Sequence, residues 1–442
     1  MSLGGDILAL LVGLGACYTV KLVGDIPLSE VILIPSIPIL FAIHPGRLRL
    51  RKRKFGVILT LMFLWLLSQI VTDVYRSTAA DDWIRGDANI AFFILDLIGM
   101  AILLKGNMRR QMIYFFGLAI GMGLAPKVDP GWHYPADASF KFSYGFTLMY
   151  LVALISCYFY KRRKYSIVGL LFMANIGVNI LFNYRSVILI MFITACLILP
   201  VIPERIGRLR VLPPMQTKSR ILIIVGIVLI AGVLAGKVMT TLADSGVLGE
   251  EARSKNQQET MAGWGVLIGG RPEVLVSSRA VLDSPILGHG SEAKDPKYSE
   301  MLNEIEASYG LPVNESGEGK YEGLIPAHSH LMAAWVFSGV CGAIFWIYIL
   351  VLSLKSVVQA VISQLPVTPV YTLVLVLFIW NIFFSPFGGI ERVTTSFFII
   401  IICDLLDPEA ETRKVIVPMP AHGVVRLRSR NLGRIPARVS AR

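Results

Sequence analysis

Apolar residues occur along this chain in long continuous runs and not in alternation with polar ones. A helix needs roughly 20 residues to cross a ~30 Å hydrocarbon layer, and most of these runs approach that length. Continuous runs predict spanning helices, whereas alternation would be typical of a membrane β-barrel. We therefore predict an all-α polytopic membrane protein.

The first run covers residues 7–23. It has no basic residues ahead of it and no small-residue cleavage pattern after it, which predicts a retained helix and not a signal peptide. Eleven further runs bring the predicted number of spans to twelve. They cover residues 28–43, 56–73, 89–104, 111–125, 143–160, 166–182, 187–202, 221–240, 331–353, 368–385 and 393–406.

Basic residues give the predicted spans an orientation. Six Lys and Arg residues lie between positions 47 and 54, and the positive-inside rule places such a cluster in the cytoplasm. If successive loops lie on opposite sides of the membrane, 27 of the 42 Lys and Arg residues and both termini lie on the cytoplasmic side. The net charge of +12 therefore indicates orientation and contact with anionic lipids, and not binding of nucleic acid.

The composition agrees with this class, since 55% of the residues are hydrophobic, 16% are charged and the mean hydropathy is +0.65. The predicted organisation is nine helices in 1–240, a long outer loop in 241–330, three helices in 331–406 and a disordered basic tail in 407–442. The five cysteines fall in predicted spans, so no disulfide framework is expected. No metal-ligand spacing, phosphate loop or nucleophile elbow occurs in the sequence, and we predict no metal and no cofactor.

The long outer loop contains fourteen Asp and Glu residues against seven Lys and Arg residues between positions 241 and 327. An acidic loop does not attract anions by bulk charge, so an anion must bind there through individual arginines, which can hold phosphate oxygens bidentately. Arg271 and Arg279 are the candidates in the loop. Arg185 lies on the same predicted side between two spans, where an interfacial snorkelling role is the alternative. Arg392 has the same two interpretations, with a local ion pair to Glu391 favoured.

Two histidines precede the predicted tenth helix. Pro326 suits the first position of that helix, which would place His328 in its first turn, where the helix dipole disfavours protonation. His330 would lie about 200° further around the same helix, so the two rings could not face one site. An ordinary interfacial role is the alternative for each histidine. The neutral imidazole predicted for His328 makes it the candidate general base.

These residues together resemble the O-antigen ligase and Wzy-type polysaccharide polymerase superfamily. The resemblance rests on Arg185-Ser186 at a helix-helix turn, Gly270-Arg271, Pro285-Ile286-Leu287-Gly288-His289-Gly290, and His328-Ser329-His330-Leu331 followed by Gly339 and Gly342. The twelve-span topology with one long outer loop is also similar, so the resemblance covers most of the chain. Leu275 and Ser329 differ from the aromatic residue and the Asn that the family often has at these positions.

The resemblance implies a GT-C-like helical bundle in the bacterial inner (cytoplasmic) membrane, with an active site facing the periplasm. It implies inverting, metal-independent transfer of a glycan from an undecaprenyl-diphosphate-linked donor. Arg185 and Arg271, with Arg279 as a weaker third, would hold the diphosphate, and His328 would be the base. His330 and Arg392 would be acceptor-side or secondary residues. The implied partners are a glycan or lipid A-core acceptor, membrane lipids and a chain-length regulator.

Three alternatives remain open. We favour a polymerase of O-antigen, capsule or exopolysaccharide units over an O-antigen ligase of lipopolysaccharide assembly, because nothing in the sequence points to a lipid A-core acceptor. A transporter or flippase of lipid-linked sugars would need ionisable residues deep within its spans, and Asp96 is the clearest candidate. A non-catalytic scaffold would have the topology without the ordered arginines and histidine.

Overall fold

The computed structural model describes residues 3–22, 24–43, 53–128, 139–199, 271–308 and 323–407, with a few isolated positions between 205 and 253. This part of the chain is mostly helical. The helices are α1 Leu3–Gly15, α2 Leu28–Ile43, α3 Arg53–Arg76, α4 Ala80–Leu104, α5 Met108–Val128, a π-helical turn Phe140–Tyr144, α6 Gly145–Lys161, α7 Tyr165–Leu181, α8 Arg185–Ile198, α9 Glu273–Asp283, α10 Pro296–Ser308, α11 His330–Ser338, α12 Val340–Ser363, α13 Thr368–Phe384 and α14 Gly389–Leu405. Two short antiparallel hairpins pair β1 Thr19–Leu22 with β2 Gly24–Pro27, and β3 Arg205–Ile206 with β4 Leu209–Arg210.

Five of the described helical segments are long and apolar enough to cross a membrane. They are Lys54–Arg76, Ala80–Leu104, Met108–Val128, Phe140–Lys161 and Val340–Ser363. Several others, among them α2, α7 and α13, are apolar but shorter. The chain is therefore a mostly helical, multi-pass membrane protein. The predicted span 221–240 and the tail beyond residue 407 lie outside the described residues, apart from isolated positions of the span.

Long-range hydrogen bonds gather several helix termini at one end of the bundle, which we call the Asp404 end. The Gly106 N–H after α4 and the Gln111 side chain at the start of α5 both donate to the Asp404 carboxylate, at 2.7 and 2.6 Å. Tyr371, near the start of α13, donates to Gln111. The Lys54 ammonium at the start of α3 donates to the backbone just beyond α14, at 2.5 Å. Helices α3, α5 and α13 therefore begin at this end, and α4 and α14 finish there.

The opposite end, which we call the Ser385 end, receives the start of α11. Because α13 begins at the Asp404 end, its last turn reaches the other end of the bundle. There Nδ1 of His330 donates to the Ser385 carbonyl at 2.7 Å, and the Ser329 hydroxyl donates to the Ile382 carbonyl at 2.9 Å. The segment that carries the two candidate histidines therefore lies at the Ser385 end.

Arg185 lies at the same end, as a chain of contacts shows. Helix α5 runs from the Asp404 end to Met122, whose carbonyl accepts a hydrogen bond from Ser143 in the π-helical turn. That turn continues directly into α6, and Phe146 in the first turn of α6 packs edge to face on Tyr184, with ring centroids 5.7 Å apart. Arg185 follows Tyr184 as the first residue of α8.

The first helix is shorter than the apolar run predicts. Helix α1 ends at Gly15, and the chain turns there, with the Tyr18 N–H donating to the Gly15 carbonyl at 3.3 Å. Residues 19–22 of the predicted first span form β1, which pairs with β2, and a 2.7 Å bond from the Leu28 N–H to the Tyr18 carbonyl closes the hairpin. The prediction of a helix through residue 23 is therefore wrong, because hairpin pairing satisfies the polar backbone groups after Gly15 instead.

Glycines bring α1 and α5 into close contact. A Cβ atom at Gly13, Gly117 or Gly121 would lie 2.2–2.5 Å from a backbone oxygen of the other helix. Gly117 and Gly121 are four residues apart and so lie on one face of α5, in the small-xxx-small spacing that lets membrane helices approach closely. Replacing any of the three glycines by a larger residue would push the two helices apart.

The predicted tenth span, 331–353, is two helices. Gly339 separates α11 from α12 with φ 69°, and a Cβ atom there would lie 2.0 Å from the Ile286 carbonyl oxygen. The segment 286–290 occupies the break, because the Val340 N–H donates to Ile286 at 3.0 Å and the His289 N–H donates to Val336 at 2.7 Å. The break depends on a segment about fifty residues earlier in the sequence, so local hydropathy did not reveal it.

The described part of the predicted long loop has a small hydrophobic core of its own. Helices α9 and α10, the segment before α11, and α11 itself supply it. Its buried members are Val276, Ala280, Val281, Tyr298, Ile325 and Val336. This core holds α9 against α11, and the beginning of α9 carries Arg271.

Candidate functional site

Arg271 and Glu273 lie at the beginning of α9, on either side of Pro272. Proline suits a helix start because its fixed φ is helical and it has no N–H to satisfy, and Pro272 precedes the first residue of α9 with φ −59°. The Val274 N–H donates to the Arg271 carbonyl at 3.1 Å, which begins the turn. Both charged side chains are half-buried.

His328 lies in the extended segment before α11. Backbone bonds fix this segment against the loop before α10, with the Ile325 N–H donating to Ala293 at 3.0 Å. Ser329 is the N-cap of α11, since its hydroxyl accepts a 3.0 Å bond from the Met332 N–H. The prediction that Pro326 begins the helix and that His328 lies in its first turn is therefore wrong, because the capping hydroxyl belongs to Ser329.

Ser329 has a clear structural role at the start of α11. Serine and asparagine are both strong N-cap residues, so either can begin the same helix. The Ser329 hydroxyl makes two bonds at once, accepting from Met332 and donating to Ile382. It thereby joins the start of α11 to the end of α13, and this fixes the backbone next to His328.

Two charged residues affect the pKa of His328. The side chain is exposed, yet desolvation by the surrounding protein lowers the pKa of His328 below its usual value and is the main cause of the shift. Glu273 raises this pKa, and Arg271 lowers it. Arg271 and Glu273 are therefore near enough to act on His328 electrostatically, and the net direction of the pKa shift favours a neutral imidazole at neutral pH, as a general base requires.

Glu273 is the residue of this group that the sequence analysis missed. Its Oε2 atom is buried and has no hydrogen-bond partner within the described residues. An acidic residue in the first turn of a helix usually needs no explanation beyond the helix dipole. For that reason Glu273 did not stand out in the sequence, although the spacing Arg-Pro-Glu could have drawn attention to it.

His330 has a different environment from His328. Its side chain is buried, with centroid distances of 4.9 Å to Trp346 and 5.2 Å to Phe387. Burial lowers the pKa of His330 to about 4, against the opposing effect of the Ser385 carbonyl. The two rings are thus separated because His328 precedes the helix and His330 points into the bundle, and not because of a 200° rotation within one helix.

Arg185 is placed by the tight turn between α7 and α8. Asn183 adopts a left-handed conformation, with φ 49°, which asparagine tolerates better than most residues. Its side-chain oxygen accepts a 3.2 Å bond from Nε of Arg185. The arginine is half-buried at the Ser385 end, in the region of the bundle to which His328 also belongs.

The remaining candidates, Arg279 and Arg392, are engaged in ion pairs. Arg279 is exposed and pairs with Asp283 one turn later on α9, at 3.2 Å. Asp283 also accepts bonds from Lys297 at 2.7 Å and Tyr298 at 2.8 Å, and these bonds lower its pKa to about 2. Arg392 pairs with Glu30 of α2, at 2.7 Å, so the predicted pair with its neighbour Glu391 is wrong.

The segment 285–291 connects α9 to the bundle. Arg76 at the end of α3 donates to the Gly288 carbonyl through Nε at 3.1 Å and through Nη2 at 2.9 Å. Asp73 accepts 2.6 Å bonds from the N–H and the hydroxyl of Ser291. His289 Nε2 donates to the Ala280 carbonyl of α9 at 2.8 Å. These contacts fasten the C-terminal part of α9 to the bundle.

No protein-family model matches this chain, and a comparison with curated proteins also finds no match. Among the described residues, no group of three or more His, Cys, Asp or Glu side chains is arranged to hold a metal ion.

Proposed function

We propose that this chain is an inverting glycosyltransferase that polymerises oligosaccharide repeat units carried on undecaprenyl diphosphate. The observation that carries the proposal is the grouping of His328, Arg271 and Glu273 at one end of a helical membrane bundle. A neutral imidazole beside a half-buried guanidinium supplies the two functions that such a transfer needs, namely a base for the acceptor and a cation for the leaving group.

In the proposed reaction an acceptor hydroxyl attacks the anomeric carbon of the donor glycan from the face opposite the diphosphate. The bond between the anomeric carbon and the diphosphate oxygen breaks, and undecaprenyl diphosphate leaves with the bonding electrons. His328 takes the hydroxyl proton. Arg271 and Arg185 stabilise the negative charge that develops on the diphosphate, because guanidinium groups bind phosphate oxygens bidentately. Arg279 would contribute only after its pair with Asp283 opens.

The proposal includes the membrane arrangement on which this chemistry depends. Twelve spans would place the Ser385 end at the periplasmic face of a bacterial inner membrane, with the segment 241–330 as a periplasmic loop. The Asp404 end, where Lys54, Lys105, Arg109 and Arg110 lie, would then face the cytoplasm. A chain-length regulator would be a further partner, and an O-antigen ligase with a lipid A-core acceptor is the alternative within this class.

A transporter or flippase is the second candidate function, and one observation favours it. Asp96, Glu30 and Arg392 form a buried ionisable cluster between spanning helices, and such clusters are common on transport pathways. The first candidate is preferred because an exposed base and a half-buried arginine at the end of a bundle suit transfer between glycans at the membrane surface better than passage across the bilayer.

A reconstitution experiment separates these functions. The full chain in lipid nanodiscs is incubated with an undecaprenyl-diphosphate oligosaccharide, with and without a lipid A-core acceptor and with a metal chelator in a parallel reaction. We expect longer glycans on the carrier lipid, in equal amount with the chelator. Transfer to lipid A-core alone would identify a ligase. An unchanged donor in nanodiscs, together with its movement across proteoliposome membranes, would identify a transporter and refute the proposal.

A further inference from the structure

A second group of ionisable side chains lies inside the bundle, apart from His328. Arg392 of α14 and Glu30 of α2 form a bidentate ion pair, with Nε to Oε1 and Nη2 to Oε2 both at 2.7 Å. The remaining nitrogen, Nη1, donates to the Asn89 side chain of α4 at 2.7 Å. Glu30 is 1% exposed and Arg392 is 7% exposed, so solvent contributes little to this arrangement. The guanidinium is fully used by these partners.

Asp96 adds a carboxyl group that this pair does not need. It follows Asn89 by seven residues on α4, almost two full helical turns, and therefore lies on the same face of the helix. Its side chain is 0% exposed, and neither carboxyl oxygen has a hydrogen-bond donor within the described residues. Its polar neighbour is the Glu30 carboxyl, another acceptor. Two carboxyl groups, both nearly inaccessible to solvent, thus lie side by side.

The charges of the cluster do not balance if both carboxyls are ionised. Arg392 carries one positive charge, which Glu30 neutralises, and Glu391 next to Arg392 is a further carboxyl. The buried Tyr114 hydroxyl of α5 is neutral and cannot balance a second negative charge. An ionised carboxylate buried without a counter-charge costs so much free energy that it takes up a proton instead. Two carboxyl oxygens also attract each other only when a hydrogen atom lies between them.

We propose that Glu30 and Asp96 hold a proton between them, which makes this cluster an internal proton-binding site. Asp96 is the protonated carboxyl and donates to Glu30, while Glu30 keeps its charge for Arg392. The proposed proton-binding site is independent of the proposed glycosyl transfer. A proton fits a contact between two carboxyl groups, whereas a sodium ion would need additional oxygen ligands around it.

Release of the proton would have a structural consequence. Two negative charges would then lie in contact against one arginine, and their repulsion would separate α2 from α4. Helix α2 is suited to move, because Pro35 and Pro38 lie inside it and each removes a hydrogen bond of the helix. The proposed site thereby links proton binding to the position of α2, which follows the β1–β2 hairpin.

Infrared spectroscopy of the full chain in nanodiscs tests the proposal directly. A protonated carboxyl group has a C=O stretching band that a carboxylate lacks. We expect this band at neutral pH in the wild-type protein, and we expect it to shift when the aspartate carboxyls are labelled with carbon-13. The labelled wild-type protein needs no mutation, so the test does not depend on whether a variant folds. Absence of the band at neutral pH would overturn the proposal.

Two variants and one control sharpen the test. Asp96→Asn should remove the band, because the amide donates to Glu30 in place of the carboxylic acid. Glu30→Gln should also remove it, because Asp96 would then ionise to neutralise Arg392. Asp81→Asn, at an exposed position of the same helix, should leave the band unchanged. A band that survives Asp96→Asn in folded protein would place the proton elsewhere.

Binding of a sodium ion in place of a proton is the competing explanation for the cluster. Titration of the wild-type protein with sodium chloride, with choline chloride as the control, should leave the aspartate-sensitive band unchanged. Loss of the band with sodium alone, together with radioactive sodium binding that Asp96→Asn abolishes, would show that the ligand is a metal cation and would overturn the proton assignment.

Discussion

Two regions of this molecule combine an arginine with carboxyl groups, and they differ in how completely the charges are paired. In the interior, Arg392 uses every nitrogen of its guanidinium on Glu30 and Asn89, with each contact at 2.7 Å. At the Ser385 end, Arg271 and Glu273 flank the start of α9 beside His328, and one Glu273 oxygen has no partner in the described structure. An arginine whose nitrogens all have protein partners fixes helices, whereas the half-buried Arg271 at the end of the bundle is placed where a ligand could reach it.

The largest effect should follow from removing the base. We expect His328→Ala to reduce glycosyl transfer by about 10²–10⁴-fold while the donor still binds, because general-base catalysis typically contributes that much. Transfer is measured by glycan extension and donor binding by lipid co-purification. His330→Ala is the matched variant. It should lower the yield of folded protein, because its ring packs on Trp346, yet leave a substantial activity per folded molecule.

The reverse pattern, with His328→Ala active and His330→Ala inactive although folded, would show that the base is His330. It would also show that the region around Arg271 and Glu273 is not the catalytic one.

The next effect concerns the stability of the interior pair. Arg392→Ala should destabilise the protein by about 3–5 kcal/mol, because it leaves Glu30 buried without its counter-charge. Arg85→Ala is the control, since the Arg85–Asp82 pair at 2.6 Å is partly exposed and should be worth about 0–1 kcal/mol. Thermal unfolding in detergent measures both. Replacing Arg392 and Glu30 together by methionine should recover most of the loss. Equal effects of the two single alanine variants would contradict the distinction between a buried and a partly exposed ion pair.

A third prediction concerns Arg271. Arg271→Lys should lose nearly as much activity as Arg271→Ala, about 10²–10³-fold, because an ammonium group cannot reproduce a bidentate grip on a diphosphate. The measurement is the initial rate of transfer at saturating donor. Arg279→Lys is the control, because Arg279 is exposed and paired with Asp283, and its change should be small. Full activity of Arg271→Lys would show that the site needs only a positive charge at this position and no bidentate contact.

The smallest expected effect is a shift in pH dependence. Glu273 raises the pKa of His328, so Glu273→Gln should lower it. A base acts in its neutral form, and activity therefore rises as pH increases through its pKa. The acidic limb of the rate profile should move to lower pH in Glu273→Gln and to higher pH in Arg271→Ala, which loses a charge that lowers the same pKa. A merely structural role for Glu273 would reduce the rate without moving the limb.

Apolar runs predicted several helices closely, because such a run can be recognised without knowledge of its partners in space. The predicted runs at 28–43, 166–182 and 368–385 agree with α2, α7 and α13 to within one residue. The sequence also pointed to Arg271 and His328, because charged and titratable residues stand out beside apolar runs. The chemistry proposed for them remains a prediction.

Helix ends and ion pairs that depend on residues distant in the sequence became visible only in the tertiary structure. Helix α11 ends at Ser338, before Gly339, because the Ile286 carbonyl occupies the break, and it begins at His330 because the Ser329 hydroxyl caps it. Arg392 forms its ion pair with Glu30, 362 positions away, and not with the adjacent Glu391. Hydropathy and spacing describe a residue's neighbours along the chain, whereas capping, pairing and burial depend on neighbours in space, which only the packed bundle supplies.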